Sequence, residues 1–389
     1  MPTAPNSSPN SAAHVVPPTM PTVLRSWQHL REHTPGMAIP DKLPLTPSGA
    51  TYTMAQELTW LDAQHFAVGR WDGSLSIFQF TSATTQGPLM STVANTPSAE
   101  GVQMICLISD GRFATSNDEQ SALVWQRQGP SWQDVQVSQR LPFPHEFGVA
   151  NSGARIVNQE LGQLYFVIGH ANGFLSIWRE SLVGSDTLSM VASLNLRSAT
   201  PTNPWHLHNI RGIAVLAKKA ANQADHIVTG SEDGDLCIVR LQDASIVSRT
   251  VYNPAAQRGI NSLAVSGNRL LVANCAVGKI DKNLWLYEID EASWQINYVD
   301  GARLVVDQQL AQVFDFDVIW GRYSEGACWY AATEEGYLWM GNLDSNGKLQ
   351  VIARQAVTTK LGAAIGQSEN GDLAFAAYDL YEFDAMSKP

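Results

Sequence analysis

Short apolar runs of three to seven residues recur along this chain, and polar turns separate them at close, regular intervals. Runs this short, alternating with period two or apolar on both faces, predict β-strands rather than helices. One unit is especially clear in "HFAVGRWDGSLSIFQF", where a small apolar run leads into a polar turn ending in Gly73, with Leu75 two and Ile77 four residues further on. "LYFVIGHANGFLSIWRE" and "HIVTGSEDGDLCIVRL" repeat it around Gly173 and Gly234, and "YAATEEGYLWMGNL" repeats it around Gly336 with Met340 in place of the isoleucine. Three further copies put Gln120, Lys282 and Tyr378 in the glycine slot. The seven slots, 73, 120, 173, 234, 282, 336 and 378, lie 47, 53, 61, 48, 54 and 42 residues apart.

Each copy pairs a strand that is apolar on both faces with one that alternates, and in the four copies that keep the glycine the two are joined by Asp-Gly, Asn-Gly or Glu-Gly turns. Alternating segments such as "QMICLIS", "ARIVNQ", "RGIAVLA", "NSLAVS" and "FDFDVIW" precede the pairs. No such unit can bury both faces alone, so the repeat predicts an all-β, seven-bladed β-propeller over residues 49–389. The chain ends on a third strand, so ring closure needs an outer strand from the N-terminal side. "MAIPDKLPLTPS" (37–48) is the candidate, and Val23, Trp27 and Leu30 predict a short helix within 22–36, ahead of it. Residues 1–21, rich in Pro, Ser, Asn and Ala, read as a disordered tail.

The "DGxLxI" hairpins resemble the WD40-repeat family over about residues 50–384. Its Trp-Asp dipeptide closes the third strand of a blade. Here that position reads Phe78-Gln79, Trp125-Gln126, Trp178-Arg179, Val239-Arg240, Tyr287-Glu288, Gly341-Asn342 and Phe383-Asp384. The aromatic is kept in five copies and the aspartate in one, so the family's buried Asp–His–Ser/Thr–Trp hydrogen-bond network is not expected intact. Trp71-Asp72 sits in the turn before a third strand, out of place for the repeat. What the resemblance implies is a protein-interaction scaffold, monomeric or a subunit of a hetero-complex.

Composition narrows the partner. The 389 residues are 44% hydrophobic and only 16% charged, with 25 Lys+Arg against 36 Asp+Glu and a net charge of −11. That balance lacks the basic footprint of a nucleic-acid binder, and no apolar run has membrane-spanning length. Cys106, Cys237, Cys275 and Cys328 are widely spaced with no metal-ligand pattern, which predicts buried free thiols in a reducing compartment such as the cytoplasm. No cofactor is expected.

Candidate chemistry is sparse. His206 and His208 in "PWHLHNI" have the spacing of two metal ligands on one strand face, without an assignable third. Asp315 and Asp317 in "FDFDV" form a carboxylate pair, the basis for an alternative propeller hydrolase or lyase that uses a channel metal or carboxylates. A third pattern concerns the starts of the predicted inner strands, where Gln56, Gln103, Arg155, Arg211, Asn261, Gln312 and Lys360 precede the apolar runs, with Arg258 close by. Arg155, Arg211, Arg258 and Lys360 are expected to converge at one channel mouth and bind an acidic or phosphorylated peptide. Trp71 and Trp205 are candidate aromatic anchors beside it.

Overall fold

The computed structural model describes residues 23–27, 55–70, 73–79, 92–94, 101–132, 134–184, 187–197, 208–216, 225–251, 259–277, 282–306, 312–313, 316–322, 327–357, 364–377 and 380–383. The expected tail, 1–21, and the expected closing strand, 37–48, lie outside them.

Glycine at four of the repeat slots has a backbone reason. Gly73, Gly173, Gly234 and Gly336 have φ between 77° and 89°, a left-handed conformation that a Cβ disfavours. Each closes a tight turn by donating its N–H to the residue three before it, as Gly336 does to Thr333 O at 2.9 Å. Those turns fold the second strand of each unit back on the third.

The strands assemble into four-stranded antiparallel sheets. Six sheets, numbered 1 to 6 in chain order, each use strands taken in sequence, running from an inner to an outer strand. Their inner strands are Ala55–Trp60, Ile105–Ser109, Ala150–Asn158, Ile210–Leu216, Ile260–Ser266 and Phe316–Trp320. Sheet 7 is composite. Ala364–Gln367, Leu373–Ala376 and Leu380–Phe383 come from the C-terminal part of the chain, and Val23–Trp27 supplies the outer strand. Each inner strand contacts the next one round, and that of sheet 7 contacts that of sheet 1, so the ring is closed. The fold is an all-β propeller. Among the described residues, the one helix is a single 3-10 turn at His145–Phe147.

Closure by Val23–Trp27 corrects the expectation of a helix there. The 3.6-residue spacing of Val23, Trp27 and Leu30 is a local signal, and the unpaired edge of Leu380–Phe383 overrides it. Val23 pairs with Phe383 and Trp27 with Leu380. "VLRSW" also has every backbone N–H a ladder needs, whereas Pro40, Pro44 and Pro47 remove three from 37–48.

The hydrophobic core is divided into seven clusters, one at each junction between adjacent sheets. Polar side chains of the inner strands tie the same junctions together. Thr59 Oγ1 donates to Ile105 O at 2.8 Å, Ser152 Oγ to Ile210 O at 2.6 Å, and Trp320 Nε1 to Ala264 O at 3.1 Å.

Candidate functional site

The inner strands enclose a central channel of about 570 Å³. One mouth lies where the inner strands begin, on the face that also carries the turns between second and third strands. Four inner strands share an irregularity near this mouth. The pairing register slips by one residue between Ala55 and Glu57, Ala150 and Ser152, Ile210 and Gly212, and Ile260 and Ser262. The residues at these bulges are Gln56, Asn151, Arg211 and Asn261. A bulge re-aims the side chain it carries, and all four line the channel, as does Gln103, which precedes the inner strand of sheet 2.

Three of the expected mouth residues, Gln56, Arg211 and Asn261, thus hold equivalent places on this wall, with Gln103 beside them. Arg155 does not. It sits mid-strand opposite Phe166, four residues beyond Asn151, or roughly 13 Å along an extended chain. Its Nη1 donates to Ile108 O at 3.0 Å, tying sheet 3 to sheet 2. Gln312 belongs to a two-stranded ladder with Ala276–Val277 rather than to the inner strand of sheet 6. Arg258, Lys360, Trp71 and Trp205 lie outside the described residues, as do His206 and Asp315. Among the described residues, Arg211 alone of the four expected cations stands at this mouth, and its Nη1 donates to Glu232 Oε1 at 3.1 Å. The sequence reading missed Asn151. The signal that finds it is the register of the second strand, because Asn151 lies beside the Ala150–His170 pair just as Gln56 lies beside Ala55–Arg70.

The candidate catalytic groups serve structure. Asp317 Oδ1 accepts from Ser262 Oγ at 2.7 Å and Val318 N at 2.9 Å, and Oδ2 accepts from Ile365 N at 3.0 Å, so one carboxylate joins sheets 5, 6 and 7. His208 Nδ1 lies 2.9 Å from Asp233 Oδ2, and Ser231 Oγ donates to the other oxygen of Asp233. All four cysteines are buried free thiols. Burial pushes Cys106 and Cys237 up to about 12 and Cys328 up to about 11, far from the thiolate form a nucleophile needs. Among the described residues, no group of three or more His, Cys, Asp and Glu side chains could hold a metal ion, and no helix is long and apolar enough to cross a membrane.

The Asp–His–Ser/Thr–Trp network survives in pieces dispersed over the sheets. Sheet 4 keeps Asp233, His208 and Ser231, and has Val239 at the aromatic position. Sheet 2 keeps Trp125 Nε1 donating to Thr115 Oγ1 at 2.9 Å, while in sheet 6 a tryptophan two residues ahead of the Gly341 position, Trp339, donates its Nε1 to Thr333 Oγ1 at 3.2 Å. In sheet 3, Trp178 Nε1 and His170 Nε2 both meet Ser176 Oγ, at 3.0 and 2.8 Å. His170 is fully buried against Phe143 and Phe147, and burial lowers its pKa to about 3. The unfolded chain therefore binds the extra proton first. The contribution of neutral His170 is complete above pH 6.5 and is lost as pH falls toward 3. Between pH 7 and pH 4, His170→Gln is expected to lose about 3 kcal/mol less stability than the parent. Urea melts at the two pH values measure this, and parallel losses in both proteins would refute it.

No family model and no curated protein sequence matches the chain. Solved structures do. A chain of "Crystal Structure of Mitotic Checkpoint Complex" aligns over 100% of this chain and 99% of its own, with TM-score 0.64 and 12% identity. The WD40 β-propeller domain of Doa1 aligns over 85% of this chain and 93% of its own, at TM-score 0.56 and 13% identity. The β-propeller domain of Cps50 (Swd1) from Myceliophteria thermophila aligns over 85% and 95%, again at TM-score 0.56 and 13% identity. At these identities the likeness shows the fold, a WD40-like β-propeller.

Proposed function

We propose that this WD40-like propeller is a non-catalytic interaction scaffold that binds a partner protein or peptide over the channel mouth bearing Gln56, Gln103, Asn151, Arg211 and Asn261. One observation carries the reading: polar side chains from five sheets converge on that mouth and line one channel. The fold supports it, since one structural neighbour was solved as a chain of a multi-protein complex. An acidic partner would have to displace Glu232 from Arg211, so uncharged polar groups suit this wall better than a carboxylate or phosphate.

The test compares the two faces. The full chain is immobilised and the proteins it retains from a lysate of its own cells are compared with those retained by variants. Gln103→Arg alters the mouth wall, and Glu119→Lys alters the exposed turn between the second and third strands of sheet 2 on the same face. Leu161→Asp and Val183→Asp alter the opposite face, where these side chains are 51% and 83% exposed. Retention is expected to fall with the first pair and persist with the second. The reverse pattern would overturn the reading.

A further inference from the structure

Asn151 is 6% exposed, and neither its Oδ1 nor its Nδ2 has a hydrogen-bond partner among the described residues. Leaving a buried amide unsatisfied costs about 1–3 kcal/mol per group, a cost that a ligand able to pair with it would remove. Gln56 Oε1, at the equivalent bulge two sheets away, is likewise buried and unpartnered. Gln103 and Asn261 add two more carboxamides to the same wall. Primary amides from four sheets thus meet in a channel whose volume, about 570 Å³, lies in the range of ligand pockets.

Resting on the scaffold reading, we propose that this channel mouth recognises amide groups. The ligand is an uncharged, extended peptide segment whose main-chain or Asn/Gln side-chain amides insert between Gln56 and Asn151. A carboxamide offers N–H donors and a carbonyl acceptor together. Its full complement is another amide, which satisfies both at once. A carboxylate or phosphate brings acceptors alone and leaves Asn151 Oδ1 and Gln56 Oε1 unpaired. An ammonium brings donors alone and leaves Asn151 Nδ2 unpaired.

A random twelve-residue peptide library displayed on phage and panned on the full chain tests this. Selected peptides are synthesised and titrated calorimetrically against the parent, Asn151→Leu, Gln56→Leu and Arg211→Ala, each first shown by its melting curve to be folded. Gln56 is less buried than Asn151, so Gln56→Leu keeps the test decisive if Asn151→Leu fails to fold. Uncharged, Asn- or Gln-rich peptides are expected, with affinity falling about tenfold in the Asn151 and Gln56 variants and little in Arg211→Ala. Acidic peptides that depend on Arg211 and ignore Asn151 and Gln56 would overturn amide recognition and leave the scaffold reading standing. Peptides indifferent to all three substitutions, or no enrichment, would overturn both.

Discussion

Alanine at position 341 is expected to destabilise the propeller by about 3 kcal/mol, although it adds a single methyl group. Gly341 holds the place where five other copies carry an aromatic residue, and its cross-strand partner is Trp329. Where Phe113 faces Trp125 and Phe166 faces Trp178, both sides of the pair are aromatic. Sheet 6 fills the same space with one ring carried by the second strand. Trp329 is fully buried, among Leu271, Leu286 and Trp339. A Cβ on Gly341 would overlap the Trp329 ring and the carbonyl of Gln350. The ring lies in a close-packed junction that cannot yield without displacing sheet 5, and the carbonyl belongs to the paired outer strand of the same sheet. Trp329→Ala should itself cost about 3–5 kcal/mol, by leaving a cavity. The two defects are complementary. Gly341→Phe with Trp329→Ala returns a ring to the third strand, and the pair should recover at least about 2 kcal/mol relative to the sum of the single changes. Urea unfolding of the four proteins measures this coupling. Additive effects, or a Gly341→Ala protein within about 0.5 kcal/mol of the parent, would refute the account.

That exchange of a ring between strands shows which features were legible in the sequence. Gly73, Gly173, Gly234 and Gly336 could be read because a positive φ selects a residue type directly. The third strands could be read because Leu75 and Ile77, Leu175 and Ile177, and Leu236 and Ile238 repeat a local alternation. Registers could not. The inner strand of sheet 3 opens with Asn151, Ser152 and Gly153, ahead of its apolar run, so the pattern points to Arg155, which flanks the run "IV", for the mouth position that belongs to Asn151. "QVFDFDVIW" looks like one strand, yet Gln312–Val313 pairs with a loop strand of sheet 5 and the inner strand begins at Phe316. Val23–Trp27 acquires its conformation from Leu380–Phe383, more than 350 residues away. Nothing within five residues can announce such a partner. The polar wall of the channel was legible as residue types and illegible as geometry, because the bulges decide which amides face one another.

Removing the carboxylate of Glu180 is expected to cost about 3–5 kcal/mol, a loss as large as that of a core tryptophan. Arg112 opens the second strand of sheet 2 and Glu180 lies near the end of the third strand of sheet 3. Arg112 Nη1 donates to Glu180 Oε1 at 3.0 Å and to Oε2 at 3.1 Å, and each side chain is only 6% exposed. Exposed pairs of this kind contribute little, because water and salt screen them and the side chains lose freedom. Here water is excluded, so Glu180→Ala leaves a guanidinium inside the junction without the carboxylate that it pairs with. The loss belongs to the orphaned cation more than to the pair, and that distinction can be measured. Glu180→Met alone should be nearly as damaging as Glu180→Ala. Arg112→Met combined with Glu180→Met fills the junction with apolar side chains of similar length and should return stability to within about 1 kcal/mol of the parent. Salt provides a second reading. Raising ionic strength should leave the parent's stability at this junction almost unchanged, whereas a screened surface pair would weaken. If the double variant proves as unstable as Glu180→Ala, the ion pair itself, rather than the cost of breaking it, holds sheets 2 and 3 together.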